Sequence, residues 1–266
     1  MARLDGLIPT ERRFVCAGLA HRDATLAALP DLDAGCFLGE PVGRDTLNAV
    51  AFSAAIIARQ DPDAVIAVFT ADHLIRPEDK FREVVTRGYK LAQRHPATLV
   101  TFGIEPTFAS TGFGYLQLGQ AMGETARVVE LFREKPDAGT AQAYFQAGPS
   151  RYLWNSGMFV WRAATLLDCV RRYRPETFAA LERIAAAWDS PQRDAVLAEV
   201  YPTLRKISVD YAVMEPASRD AAVRVAAVPM SLDWIDVGCW ATLAGACPVD
   251  EQGNAVAAGK CILERS

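Results

Sequence analysis

The sequence lacks most of what a metal-stapled or disulfide-stapled fold needs. Its six cysteines (Cys16, Cys36, Cys169, Cys239, Cys247, Cys261) are scattered over 266 residues, and none forms a C-x-x-C pair. With only three histidines beside them, a zinc site is not expected. Most of these cysteines lie in apolar contexts and read as small buried hydrophobes in a reducing cytoplasm. No apolar run approaches transmembrane length, and residues 1–20 carry no signal-peptide pattern, so a membrane is not an expected partner. No basic run occurs and the formal net charge is −4, which argues against nucleic acid as well. An anionic substrate would have to be met by local lysines and arginines and by a metal. Internal repeats and low-complexity tracts are also absent.

What is present is an ordinary globular composition, 51% hydrophobic and 23% charged. The length fits one large domain, or one domain with a small appendage. The best boundary lies near Pro248 to Gly253, dividing residues 1–247 from 248–266. Short apolar runs alternate with segments of helical period. Arg13–Ala17 and Cys36–Leu38 read as strands; Ala64–Thr70 and Ala97–Ile104 read as strands buried on both faces. Thr46–Arg59 and Glu78–Arg94 read as helices, the second with Phe81, Val84, Val85, Gly88, Leu91 and Ala92 on one face and Pro77 in its first turn. This alternation predicts an α/β fold with a doubly wound, mainly parallel, Rossmann-like sheet. Gly112–Leu118 and Ala126–Phe132 read as strands with no long helix between them, an antiparallel insertion. Helices are expected at Gly139–Ala147, Ala164–Arg172, Pro175–Trp188 and Ser190–Tyr201. A strand follows at Val223–Val228, and DWIDVG reads as a turn.

Two polar clusters interrupt apolar sequence between Val128 and Arg162. Glu134, Lys135 and Pro136 end one strand, and Asn155, Ser156 and Gly157 sit between Trp154 and Met158. Burying such groups is costly unless they have partners, and a bound polar ligand is one such partner. A sugar phosphate suits the set: lysine for the phosphate, glutamate and asparagine for hydroxyls. Each residue has a plainer reading. Lys135 is otherwise a surface lysine, Glu134 its ion-pair partner, and Asn155 a turn residue before Gly157. Gly112 and Gly114 read as hairpin glycines and Tyr115 as core. Asp72 follows a buried strand, where α/β proteins bind ligands; as a cap for the helix after Pro77 it lies several residues early. Asp236 reads equally as a metal carboxylate and as a turn aspartate. Asp233 is its nearby decoy, and His73 a structural or supporting histidine. Asp45 or Thr46 suits a helix N-cap.

Four segments together carry a family resemblance: EPVGRDT (Glu40–Thr46), FTADHLI (Phe69–Ile75), EKP followed by WNSGMF, and DWIDVGCW (Asp233–Trp240). In order and spacing they resemble the sugar-1-phosphate nucleotidylyltransferases, most nearly the mannose-1-phosphate guanylyltransferases. The resemblance implies transfer of GMP from GTP to mannose 1-phosphate, with Mg²⁺ on Asp72 and Asp236. It implies Lys135 for the sugar phosphate, and Gly114, Glu134 and Asn155 for the sugar. Glu40, Gly43, Arg44 and Thr46 would face the nucleotide. It also implies a cytoplasmic homodimer, and it makes residues 248–266 the start of a β-rich extension. Asp45 stands where the family has asparagine, and Leu47-Asn48 where it has Ala-Pro. The family's opening strand, its GxGxRLxPLS loop and its KPKQF segment do not occur in these residues, and Met1-Ala2-Arg3-Leu4 resembles the end of the family's first helix. An exposed sheet edge or a central gap is therefore expected. A sugar-phosphate-binding module without catalysis, or a different sugar 1-phosphate, are the competing readings.

Overall fold

The computed structural model describes residues 1–248; most of the 248–266 segment, Cys261 included, lies outside them. Its strands are β1 (Val15–Gly18), β2 (Phe37–Glu40), β3 (Val65–Val68), β4 (His73–Arg76), β5 (Thr98–Ile104), β6 (Tyr115–Met122), β7 (Ala126–Arg133), β8 (Tyr152–Arg162), β9 (Arg224–Pro229) and β10 (Asp233–Asp236). The helices are α1 (Arg22–Ala28), α2 (Thr46–Gln60), α3 (Glu78–Arg94), α4 (Ala138–Ala147), α5 (Ala163–Tyr173), α6 (Pro175–Ala187) and α7 (Arg193–Val200). A π-helical turn (Asp210–Met214), α8 (Glu215–Ala217) and α9 (Trp240–Ala246) follow. No described helix is long and apolar enough to cross a membrane.

The six-stranded sheet has the order β3-β8-β5-β9-β7-β6, and β6 returns to pair with the first residues of β8. The α/β class is as the sequence indicates. Four of the six strands (β3, β5, β9, β6) share a direction, and β7 and β8 oppose them. Because β8 runs between β3 and β5, most neighbouring pairs are antiparallel, so the sheet is mixed in its pairing. Strand β5 is buried throughout, as expected. Strand β3 is only half-buried: β8 covers one of its edges, and no described strand pairs with the other.

Apolar side chains alternate across this sheet with the period of a strand. Leu99, Leu153, Phe159 and Trp161 face a core built with α2, α5, α6 and α7. Val100, Phe102, Trp154, Met158 and Val160 face a second core under α3. Helix α3 sits close on this face because of Gly88, where a Cβ would lie 2.9 Å from Phe102 Cζ. Pro77 is the residue preceding α3 rather than part of its first turn.

Two departures from the sequence reading shape the site. DWID is a strand, not a turn: β10 pairs antiparallel with β4, setting Asp236 opposite His73. Asn155 is likewise not a turn residue but lies inside β8. The ladder to β5 skips there, Thr101 opposing Phe159 while Gly103 opposes Asn155, and Gly157 takes φ 70° within the bulge.

Candidate functional site

Three clusters make up the candidate site, each set by a different piece of the fold. The first is carboxylate-rich. The β4–β10 ribbon brings together Asp72, His73 and Asp236, whose candidate ligand atoms all lie within 4.8 Å of one another. Asp72 is exposed, Asp236 half-buried and His73 buried. Trp234 Nε1 donates to His73 Nδ1 at 3.2 Å. Burial holds the imidazole pKa below its usual value, against the pull of Asp72 and Asp236. A neutral ring whose Nδ1 accepts carries its proton on Nε2, so His73 acts as a donor and the aspartates supply the oxygens. Two carboxylates suit a hard divalent cation, with phosphate and water oxygens left to complete its shell. Arg3 braces the loop from outside, donating to Thr70 O at 2.6 Å and His73 O at 2.9 Å. Asp233 sits in register with Arg76 and outside the cluster.

The second cluster follows from strand register. Tyr115 on β6 lies opposite Arg133 on β7 and opposite Trp154 on β8. One step beyond, Gly114, Glu134 and Asn155 therefore line up across three strands. Asn155 N donates to Gly114 O at 2.7 Å. A Cβ on Gly114 would stand 2.5 Å from Glu134 Oε2 and 3.4 Å from Asn155 Cβ, so glycine is what admits both side chains. Glu134 is buried and Lys135 exposed, with Lys135 Nζ 3.4 Å from Glu134 Oε1. Lys135 holds a left-handed backbone, φ 41°, which is uncommon for a non-glycine residue. Asp210 and Glu215 join from beyond the sheet. Asn155 Nδ2 donates to Asp210 Oδ1 at 3.0 Å, and Glu134 N donates to Glu215 Oε1 at 2.9 Å. Tyr115 is fully buried, as its core reading requires.

Acid crowds this cluster. Burial, then the neighbouring Asp210 charge, pushes Glu134 up to about 7, against Lys135. Burial pushes Asp210 up to about 6. A carboxyl with a raised native pKa binds its proton more tightly folded than unfolded. Its stabilising contribution is complete below its ordinary value and is lost as pH rises through the folded value. For Glu134 that window runs from 4.5 to about 7. Glu134→Gln removes this penalty. Its melting temperature relative to the native chain is expected to rise between pH 5 and pH 8 in thermal melts. A flat difference would contradict the assignment.

The third cluster is the EPVGRDT segment. Its Asp45 is the N-cap of α2, accepting from Thr46 N at 2.8 Å. At φ 69° and ψ 173°, Asp45 occupies a region that is close to glycine-only. The side chains of Glu40, Arg44 and Thr46 bind the segment 201–209. Tyr201 OH donates to Glu40 Oε1 at 2.6 Å, Arg44 donates to Pro202 O, and Val209 N donates to Thr46 Oγ1 at 3.0 Å. Asn48 adds a bond to Arg205 O at 2.9 Å, and Leu47 N one to Ile207 O at 3.2 Å. Gly43 is exposed, with open space where a Cβ would be.

Contacts join the clusters. An aromatic chain runs His73–Trp234–Phe113–Trp154, with centroid spacings of 5.2, 5.3 and 5.0 Å, from the carboxylates to the residue before Asn155. Segment 201–209 runs from EPVGRDT to Asp210. Sequence reasoning missed Thr101, Asp210, Glu215, Trp234 and Arg3. For Asp210 the only signal is an acid set between Val209 and Tyr211-Ala212-Val213, which looks like a helix start.

The nucleotidyl transferase family profile matches residues 33–253. The xanthan biosynthesis protein XanB of Xanthomonas campestris pv. campestris is 39% identical over 248 residues, covering 91% of this chain and 50% of that protein. A mannose-1-phosphate guanylyltransferase of Escherichia coli (strain K12) is 41% identical over 212 residues, covering 77% of this chain and 42% of that protein. The chain spans about half the length of the curated relatives it matches. Among solved structures, a Thermus thermophilus protein described as a mannose-1-phosphate geranyltransferase superposes with TM-score 0.76 at 34% identity, over 92% of this chain and 66% of that one. A Helicobacter pylori mannose-6-phosphate isomerase shares the fold, with TM-score 0.71 at 23% identity over 88% of this chain and 87% of that one. With a profile that covers most of its length, the chain belongs to the nucleotidyl transferase family.

Proposed function

We propose that this chain transfers GMP from GTP to mannose 1-phosphate, giving GDP-mannose and pyrophosphate. The observation that carries the reading is the register of β6, β7 and β8, which aligns Gly114, Glu134 and Asn155 beside Lys135. Lys135, exposed and charged, pairs with the sugar phosphate. Glu134 and Asn155 read hydroxyls, and the missing side chain at Gly114 leaves them room. A phosphate oxygen of the sugar forms a bond to the α-phosphorus in line. The bond from that phosphorus to the bridging oxygen breaks, and pyrophosphate leaves with the electron pair. A divalent cation on Asp72 and Asp236, Mg²⁺ in this reading, would supply neutralising charge to the phosphate oxygens. Positioning and charge do the remaining work, with no covalent intermediate on the protein. Glu40, Gly43, Arg44 and Thr46 serve the nucleotide through the backbone they set, since three of their side chains already hold segment 201–209. The relatives named as mannose-1-phosphate guanylyltransferases support this substrate pair.

The test is pyrophosphate release by the 266-residue chain with GTP, Mg²⁺ and mannose 1-phosphate. Release that needs all three supports the reading. Binding of mannose 1-phosphate without turnover would reduce it to a sugar-phosphate-binding module. Faster release with another sugar 1-phosphate would reassign the substrate.

A further inference from the structure

Asn155 has an ambiguous side chain. Its amide oxygen and nitrogen have nearly the same shape, and a flip exchanges a donor for an acceptor at whatever it faces. Thr101, on one side, does not decide the matter. Its hydroxyl lies 2.7 Å from Asn155 Oδ1 and also 3.1 Å from Met158 O, so it can donate to the amide or accept from it. Gly114 engages only the Asn155 backbone. Asp210 decides it. An ionised carboxylate only accepts, so the amide must turn Nδ2 toward Asp210 Oδ1, where the bond is 3.0 Å. Oδ1 then faces Thr101, and the second Nδ2–H stays available for a ligand hydroxyl.

Asp210 is itself firmly seated. It opens the π-helical turn Asp210–Met214, and the residue before it is tied to α2 through Thr46 Oγ1. π-turns are rare and occur frequently at functional sites. Lys135 and Asp45 both act on its charge, and Asp210 in turn acts on Glu134. One carboxylate thus touches Asn155 directly and Lys135 and Glu134 through the field.

We propose that Asp210 is a positioning residue for sugar-phosphate recognition: by accepting from Asn155 it fixes the amide in the orientation that presents an N–H donor to a hydroxyl of the sugar. This rests on the function proposed above. It adds a residue and a specificity: the hydroxyl facing Asn155 is met by a donor.

The variant is Asp210→Asn, which keeps the shape but can either donate or accept. Two readouts are taken on the full chain. In the first, the affinity for mannose 1-phosphate, by calorimetry, is expected to weaken about tenfold, the scale of one hydrogen bond to a charged group. GTP affinity is expected to stay within about twofold, well below that scale. In the second, the Asn155 side-chain amide signals, assigned by their loss in Asn155→Ala, are expected to shift in ¹⁵N–¹H spectra without any ligand. Unchanged amide signals, or equal weakening toward both ligands, would overturn the proposal. If the native chain fails to bind mannose 1-phosphate, the functional reading falls. The ligand-free spectra still decide whether Asp210 sets the amide. Should Asp210→Asn fold poorly, Thr101→Val serves instead, because the orientation is then expected to survive and the sugar-phosphate affinity to change less than about threefold.

Discussion

Asp72→Asn is expected to lower nucleotidyl transfer by about 10²–10³-fold, the loss seen when a preorganised electrostatic contact is removed from a reacting site. The same change is expected to move the melting temperature by less than about 2 °C, as for an exposed surface substitution. The asymmetry follows from how the residue is held. Asp72 is exposed, and its carbonyl, not its carboxylate, accepts from Val237 N at 3.0 Å. Changing the carboxylate to an amide leaves that bond in place while removing one of the two acids opposed across the β4–β10 ribbon. Asp236→Asn is expected to behave alike, and both variants to need more Mg²⁺ for half-maximal rate. Initial rates across a Mg²⁺ titration, beside thermal melts, make the measurement. Activity and melting temperature falling together would make both aspartates structural instead.

The second large effect is expected at Gly114→Ala. The new methyl would begin 2.5 Å from Glu134 Oε2, too close to coexist. That oxygen ends a flexible side chain and moves more readily than backbone does, so the fold is expected to persist with a cost of about 1–3 kcal/mol. Glu134 cannot move alone, however. It is buried, its amide is anchored on Glu215, and its carboxylate lies beside Lys135. We therefore expect kcat/KM for mannose 1-phosphate to fall about tenfold or more, the equivalent of losing one charge-assisted hydrogen bond. KM for GTP is expected to hold. Steady-state kinetics with each substrate varied in turn separate the two. Normal kinetics for the sugar phosphate would show that the space beside Gly114 serves only packing.

Much of this arrangement was legible because local pattern and chemistry agree. The apolar face of α3, the buried run of β5 and the acid after β3 each carry a signal within a few residues. The N-cap at Asp45 does too. Failures came where the signal is not local. A polar Asn155-Ser156-Gly157 looks like a turn, because alternation gives no sign that a strand will bulge and continue. DWID reads as a turn until β4, more than 150 residues upstream, supplies its ladder. Glu40, Arg44 and Thr46 also hold a segment near residue 205 with their side chains, a partner that nothing in the seven-residue motif names. Asp210 escaped for the same reason: its distinction is what surrounds it, not what adjoins it in sequence.

The bonds between residues 40–48 and 201–209 bear on how such a sequence can drift. Most of them join a side chain on the first segment to the backbone of the second. Backbone atoms are the same whatever residue carries them, so these bonds ask for no particular side chain at 202, 205 or 209, although Leu204 and Val209 are held by their places in the core. Arg44, Thr46 and Asn48 have no such freedom, since each loses its bond with its side chain. Tyr201 and Glu40 are different again, because two side chains meet there at 2.6 Å. At that pair a substitution on one segment must be answered by one on the other.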